Sequence, residues 1–354
     1  MVIDFRVDPK PRVDPKPEPV SPYRSAAPGK EHSPVADDRL KETARLIMEN
    51  KASEQAALIQ QIEELKLRRK AVILAHNYQI DEVQEIADFV GDSFELSRKA
   101  AGTDSEVIIF CGVHFMAESA AILSPDKIVV LPERLAGCPL ADTITVERLE
   151  RKKAEHPSVP VVCYINSSAA VKAASDICCT SANAAKVVEA VDHDVVLFVP
   201  DRNLAYWVQQ QTSKKIIPWQ GACVTHHRVT PEEVQRAREK HPDAAVAVHP
   251  ECRPETAELA DFVGSTSAIL KFCRETSHEK VIIGTEMGIL HRLKKENPGR
   301  EFFILSPKLV CPNMKYTNLK KVARALETLE PRITVPEETR AAALKALERM
   351  LAVH

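Results

Sequence analysis

From residue 70 onward, short continuous apolar runs alternate with longer segments of helical period. The runs fall into three sets: Ala71–Ala75, Val107–Phe110 and Lys127–Leu131; Val159–Cys163, Val195–Val199 and Lys215–Pro218; and Ala244–Val248, Val281–Ile283 and Phe302–Leu305. Runs of this length, without polar alternation, predict parallel strands covered on both faces. Strand–helix alternation predicts an α/β fold of three homologous small three-layer α/β/α domains around a pseudo-threefold axis, over residues 70–155, 156–240 and 241–316. Residues 37–69 are rich in Ala, Leu, Glu, Lys and Gln and predict leading helices, over Arg39–Glu49 and Ser53–Leu67, that pack on the first domain. Residues 317–354 predict two C-terminal helices, Leu319–Leu329 and Pro336–Leu351. The segment 1–36, dense in proline and without apolar periodicity, predicts a disordered leader.

The three sets belong to an internal repeat. In each, a strand leaves on a polar residue and a small-residue turn follows that predicts a helix start. His76 precedes Ser93, Tyr164 precedes Ser181, and His249 precedes Thr266, at the same separation each time. The aspartates before the turns, Asp88, Asp176 and Asp261, recur at nearly equal intervals. Ligands in such sheets bind beyond the carboxyl ends of the strands. Three domains facing one another would therefore bring three polar strand ends to one cavity.

Composition narrows the function. Acidic and basic residues are interspersed, with a formal net charge of -2, so no basic track for nucleic acid appears. No apolar run approaches a membrane span and the N-terminus has no apolar signal core, so a cytoplasmic protein is expected. Nine cysteines in such a chain read as reduced thiols, some in cores and some as ligands. Neither GxGxxG nor GxxxxGK occurs, which removes local support for a dinucleotide or Walker-type site.

Three layers of residues could carry chemistry. Ser93, Ser181 and Thr266 stand at predicted helix starts, where a hydroxyl can cap the helix and free N–H groups can hold an anion. His76 and Tyr78, Tyr164 and Asn166, and His249 and Glu251 occupy two matched strand-end positions in the three copies. Histidine and glutamate can exchange protons, tyrosine and asparagine can orient carboxylates, and Glu251 is the only acid of the six. Among the cysteines, Cys163, Cys178, Cys179, Cys252 and Cys273 read as packing, and the role of Cys138 stays open. Cys111, Cys223 and Cys311 each follow a different strand end and could converge as three thiolates. Spacing alone leaves open a zinc site with a free position, as in a metal-dependent aldolase or dehydratase, and an iron–sulfur cluster with one iron not held by cysteine. A cluster-bearing redox sensor and a small-anion binding module are the readings without catalysis.

These motifs, in this order, resemble the quinolinate synthase family. The resemblance covers residues 70–320 and rests on Ala75-His76-Asn77-Tyr78-Gln79, Gly91-Asp92-Ser93, Phe110-Cys111-Gly112-Val113-His114-Phe115-Met116-Ala117-Glu118, Tyr164-Ile165-Asn166-Ser167 and Thr180-Ser181-Ala182-Asn183. It rests equally on Trp219-Gln220-Gly221-Ala222-Cys223-Val224-Thr225-His226, His249-Pro250-Glu251-Cys252, Gly264-Ser265-Thr266-Ser267, Gly284-Thr285-Glu286 and Cys311-Pro312-Asn313-Met314. It implies three related α/β domains and one [4Fe-4S] cluster held by Cys111, Cys223 and Cys311, with the fourth iron open as a Lewis acid. It also implies condensation of iminoaspartate with dihydroxyacetone phosphate to quinolinate, phosphate and two waters, in de novo NAD biosynthesis. An L-aspartate oxidase or dehydrogenase would supply the imine. Within the resemblance, Tyr78, His226 and Glu251 are the proton-transfer residues. His76, Ser93, Tyr164, Asn166, Ser181, His249, Ser265 and Thr266 bind substrate, and Glu286 is a secondary candidate near the cluster.

Overall fold

In a computed structural model, residues 34–353 are described. The leader expected over 1–36 lies, up to residue 33, outside the described residues. The leading segment forms one helix, Pro34–Arg69, rather than two. Its residues up to Ser53 belong to a separate compact unit, and everything from Glu54 onward belongs to a second.

The second unit is α/β, with three parallel sheets of four strands each. The first sheet contains β1 (Ala71–His76), β2 (Phe89–Gly91), β3 (Val107–Cys111) and β4 (Ile128–Val130), in the order β2-β1-β3-β4. The second contains β5 (Val161–Tyr164), β6 (Ile177–Cys179), β7 (Val195–Val199) and β8 (Lys215–Pro218), in the order β6-β5-β7-β8. The third contains β9 (Ala245–Val248), β10 (Phe262–Val263), β11 (Lys280–Gly284) and β12 (Glu301–Ile304), in the order β10-β9-β11-β12. The order is the same in all three, as the repeat predicts. Central strands such as β3 and β9 are buried at every position, which explains their unbroken apolar runs.

The fourth strand of each sheet is the element the apolar pattern missed. β2, β6 and β10 are very short and lie at sheet edges, too brief to leave a periodic signal. The helix before β2, Asp81–Glu85, stops short of Phe89, and Cys178 and Cys179 lie in β6. The repeated aspartates explain these edges. Asp88 accepts the N–H of Ile73 at 2.8 Å, Asp176 that of Val161 at 2.7 Å, and Asp261 that of Val246 at 2.7 Å. Each carboxylate thus satisfies a backbone donor of the neighbouring central strand and seats the edge strand beside it.

The helix Pro231–Lys240 starts with a full capping box between Thr230 and Glu233, and with Pro231 at its first turn. Ile62 and Leu65 of the leading helix join Ile73, Ile109 and Val322 in the core over one face of the first sheet. Among the described residues, no helix is long and apolar enough to cross a membrane.

Candidate active site

The carboxyl ends of all three sheets open on one cavity, lined by His76, Tyr78, Tyr164, Asn166, His249 and Glu251. About 100 Å³ of it admits water-sized contents. His76 and His249 are held alike. The N–H of Tyr78 donates to His76 Nδ1 at 3.1 Å, and the N–H of Glu251 to His249 Nδ1 at 3.2 Å. Each bond leaves the ring proton on Nε2, and for His249 that nitrogen meets Ser181 Oγ at 3.2 Å. Burial, with neighbouring charges, pulls both histidines down to about 3, so both are neutral at pH 7.

Glu251 is the centre of the polar network. His226 Nδ1 lies 2.8 Å from Glu251 Oε2, and Asn166 Nδ2 donates to Oε1 at 3.4 Å. Burial alone would raise this carboxyl. The opposing pull of His249, of the His226 hydrogen bond and of the Tyr164 hydroxyl brings it down to about 2. On its other side, His226 Nε2 meets Thr285 Oγ1 at 2.9 Å, and Thr285 Oγ1 meets the Tyr78 hydroxyl at 2.6 Å. The Tyr78 hydroxyl also meets Thr266 Oγ1 at 3.0 Å. Burial raises the tyrosine well above its ordinary value, so it keeps its proton. A continuous line of exchangeable protons runs Glu251, His226, Thr285, Tyr78, Thr266. Nothing in the motif Gly284-Thr285-Glu286 marks Thr285 for a role. Its place as the link between a histidine and a tyrosine of different copies is visible only in three dimensions.

The helix-start hydroxyls divide. Ser93 and Thr266 are first residues of helices whose caps are Asp92 and Ser265, so neither is needed for capping, and both line the cavity. Ser181 lines it too. Ser265 does not: its hydroxyl accepts the Ala268 N–H at 3.2 Å and meets Ser267 Oγ at 3.1 Å. Ser265 is thus the cap of the helix that Thr266 opens.

Glu286 lines the cavity with both oxygens occupied. Oε1 accepts from the Cys311 N–H at 3.1 Å and lies 3.0 Å from Lys315 Nζ, and Oε2 accepts the Gly288 N–H at 2.7 Å. It anchors the Cys311 loop rather than presenting a free oxygen. Asp201, which the sequence reading passed over, does the same for Cys223, accepting its N–H at 3.0 Å. Burial and the charge of Glu251 push Asp201 up to about 8.

The cysteines require a correction. Cys223 and Cys311 line the cavity, but Cys111 does not. Cys111 is the last residue of β3, fully buried in the core between sheet and leading helix. It pairs with Ala75, as Val199 pairs with Cys163 and Gly284 with Val248. Cys111, Val199 and Gly284 are therefore equivalent strand positions in the three copies, and none of them is a loop residue. The cavity cysteine of the first copy is Cys138, in the loop after β4, as Cys223 follows β8 and Cys311 follows β12. Its spacing carries the signal. Cys138, Cys223 and Cys311 recur at the intervals of the repeat itself, whereas the step from Cys111 to Cys223 is far longer.

The chain is similar to known proteins over most of its length. The family model described as quinolinate synthetase A protein matches residues 60–352. The chain is 56% identical over 297 residues to quinolinate synthase of Alkaliphilus metalliredigens, covering 84% of this chain and 98% of that one. It is 55% identical over 294 residues to quinolinate synthase of Thermodesulfovibrio yellowstonii, covering 83% and 97%. With quinolinate synthase of Methanosarcina barkeri it shares 53% identity over 300 residues, 85% and 99%. The chain belongs to the quinolinate synthetase A protein family and is an enzyme of that kind.

Proposed function

We propose that this enzyme condenses iminoaspartate with dihydroxyacetone phosphate, giving quinolinate, phosphate and two waters in de novo NAD biosynthesis. The observation that carries the reading is the single buried cavity in which three polar strand ends, three helix-start hydroxyls and three loop cysteines meet. Ser93, Ser181 and Thr266 suit phosphate or carboxylate oxygens. Asn166 Oδ1 is buried with no partner, an acceptor that suits the N–H of an imine or enamine. His76 and His249, neutral, offer Nε2–H to carboxylate or carbonyl oxygens.

Cys138, Cys223 and Cys311 fit a [4Fe-4S] cluster with one iron free of cysteine. The fit rests on their donor chemistry. Burial pushes Cys138 up to about 12, Cys223 well above its ordinary value and Cys311 upward. Three such thiols become thiolates only against bound cationic metal. When bound, the cluster supplies a Lewis acid for a hydroxyl or carboxylate oxygen. The protein's own contribution is proton movement: His226 takes a proton from a substrate carbon or hydroxyl, stabilised by ionised Glu251, and the Thr285–Tyr78 hydroxyls return one. The imine would come from oxidation of aspartate by an L-aspartate oxidase or dehydrogenase. The nine cysteines, all unpaired, suit the reducing cytoplasm.

One observation favours a second reading. Cys223, His226 and Glu251 place a ligand atom each within 4.8 Å of one another, which suits a single metal ion such as zinc. Anaerobically purified protein decides between them. About four irons and four sulfides per chain, with quinolinate formed from the two substrates, supports the cluster enzyme. One zinc without sulfide, or a full cluster without product, sinks it.

A further inference from the structure

A second cleft is lined by Asn203, whose side chain bonds the Glu251 carbonyl. It has a volume of about 740 Å³ and is lined by Arg202, His227 and Arg253 among polar groups. Arg202 opens the helix Arg202–Gln209, and Arg253 precedes the helix Pro254–Ala257. Its walls include Tyr206, Ile216, Pro218, Pro231 and Pro254. Among the described residues, neither guanidinium has a carboxylate within 4.0 Å. Glu255 stands on the exposed rim.

The hydrogen-bond inventory here does not balance. Arg202 Nη2 faces His227 Nε2 at 3.0 Å, and Asn203 Nδ2 faces His227 Nδ1 at 3.0 Å. The same Asn203 nitrogen donates to the Glu251 carbonyl at 2.8 Å, and Arg253 Nε donates to the His227 carbonyl at 2.5 Å. Arginine can only donate, and a neutral imidazole has one N–H and one lone pair. In either tautomer, one ring N–H therefore confronts another donor. Turning the amide of Asn203 over only sets its oxygen against the Glu251 carbonyl. Burial and the two guanidiniums hold His227 below its ordinary value, so a second ring proton is disfavoured as well. The group formed by Arg202, Asn203 and His227 therefore has one donor too many in each of these states.

We propose that this cleft binds a phosphoryl group, clamped between Arg202 and Arg253. A phosphate dianion supplies the missing acceptors and takes guanidinium donors in bidentate fashion. Once Arg202 turns to it, His227 Nε2 is released from the conflict. The apolar walls leave room for the organic part of a phosphate monoester. The site does not depend on the reaction assigned above, since binding is read without turnover.

The test uses full-length, cluster-loaded protein under anaerobic conditions. Calorimetric titration with inorganic phosphate should show two classes of site in the wild type, one in the catalytic cavity and one in the cleft. The double variant Arg202→Gln, Arg253→Gln should keep its thermal midpoint and lose one class, its affinity falling at least about tenfold. AMP binding to the cleft tenfold or more tighter than phosphate identifies a monoester as the occupant; equal binding identifies free phosphate. Crystals of the wild type soaked in tungstate, an analogue of phosphate, should show anomalous density between the two guanidiniums. A single phosphate class untouched by the double substitution, or an empty cleft in the tungstate soak, overturns the proposal.

Discussion

The strand ends of the first and third sheets use one backbone device for opposite chemistry. His76 and His249 each accept the N–H of the residue two places on, at 3.1 and 3.2 Å. That residue is Tyr78 in the first copy and Glu251 in the third. Tyr78 sits between two threonine hydroxyls and keeps its proton; Glu251 takes bonds from His226, Tyr164 and Asn166 and loses it. Backbone geometry is thus inherited by the repeat, while the acid–base role is decided by one side chain and the partners that other copies bring to it.

The cysteines give the largest test of that contrast. Cys111 sits at an inherited strand position and Cys138 at an inherited loop position, and only the loop position faces the cavity. Cys138→Ala should abolish assembly of a full cluster and lower quinolinate formation at least about a hundredfold, as removing an entire Lewis acid worth several kcal/mol would. Cys111→Ala should retain iron and sulfide and lose only stability. Iron retained in Cys138→Ala and lost in Cys111→Ala would reverse the assignment of the two positions.

Glu251→Gln keeps shape and removes charge. It should lower kcat/KM by about 10³, within the range for positioned acid–base groups, with cluster content unchanged. Tyr78→Phe should cost about 10², because Thr285 and Thr266 can still order water in its place. Steady-state kinetics on cluster-loaded variants checks both. Equal losses would mean that the two strand ends serve the same step.

Thr285→Val breaks the link between His226 and Tyr78 without touching either. We expect a loss of about tenfold in kcat, since His226 Nε2 loses its partner, and recovery in Thr285→Ser, which keeps the hydroxyl. An equal loss in Thr285→Ser would make Thr285 a packing residue.

The smallest effect is on stability against pH. His76 and His249 have folded values near 3, below the unfolded histidine near 6.5. The unfolded chain binds more protons between those limits, so stability is complete above pH 6.5 and declines as pH falls toward 3. Glu251, lowered to about 2, contributes stability that is present above about 4.5 and lost as pH falls through 2. His249→Asn should therefore flatten the profile of unfolding free energy against pH between about pH 6.5 and 3, by up to about 1.4 kcal/mol per pH unit. Glu251→Gln should flatten it only below about pH 4.5. Identical profiles for the two variants would show that the pair titrates as one unit.

What the amino-acid sequence determined by itself is the repeat and its central strands. Continuous apolar runs can only be buried on both faces, and three copies at matched spacing place their polar ends alike. The evenly spaced aspartates, the capping box at Thr230 and the paired strand-end residues were all legible, because each is a local rule or a period. The edge strands β2, β6 and β10 were not, being too short to show a pattern and seated by an aspartate bond to the next strand. Cys138 was legible in principle through the same spacing, but Cys111, directly after an apolar run and beside glycine, is the cysteine the apolar pattern favours, and only the burial of β3 separates the two. Only the tertiary structure decided which side chains from different copies meet. Thr285 between His226 and Tyr78, Asp201 under Cys223, Glu286 under Cys311 and the crowded donors around His227 all join residues that are distant in the chain. Their protonation and hydrogen bonding depend on burial and on partners that no local pattern encodes.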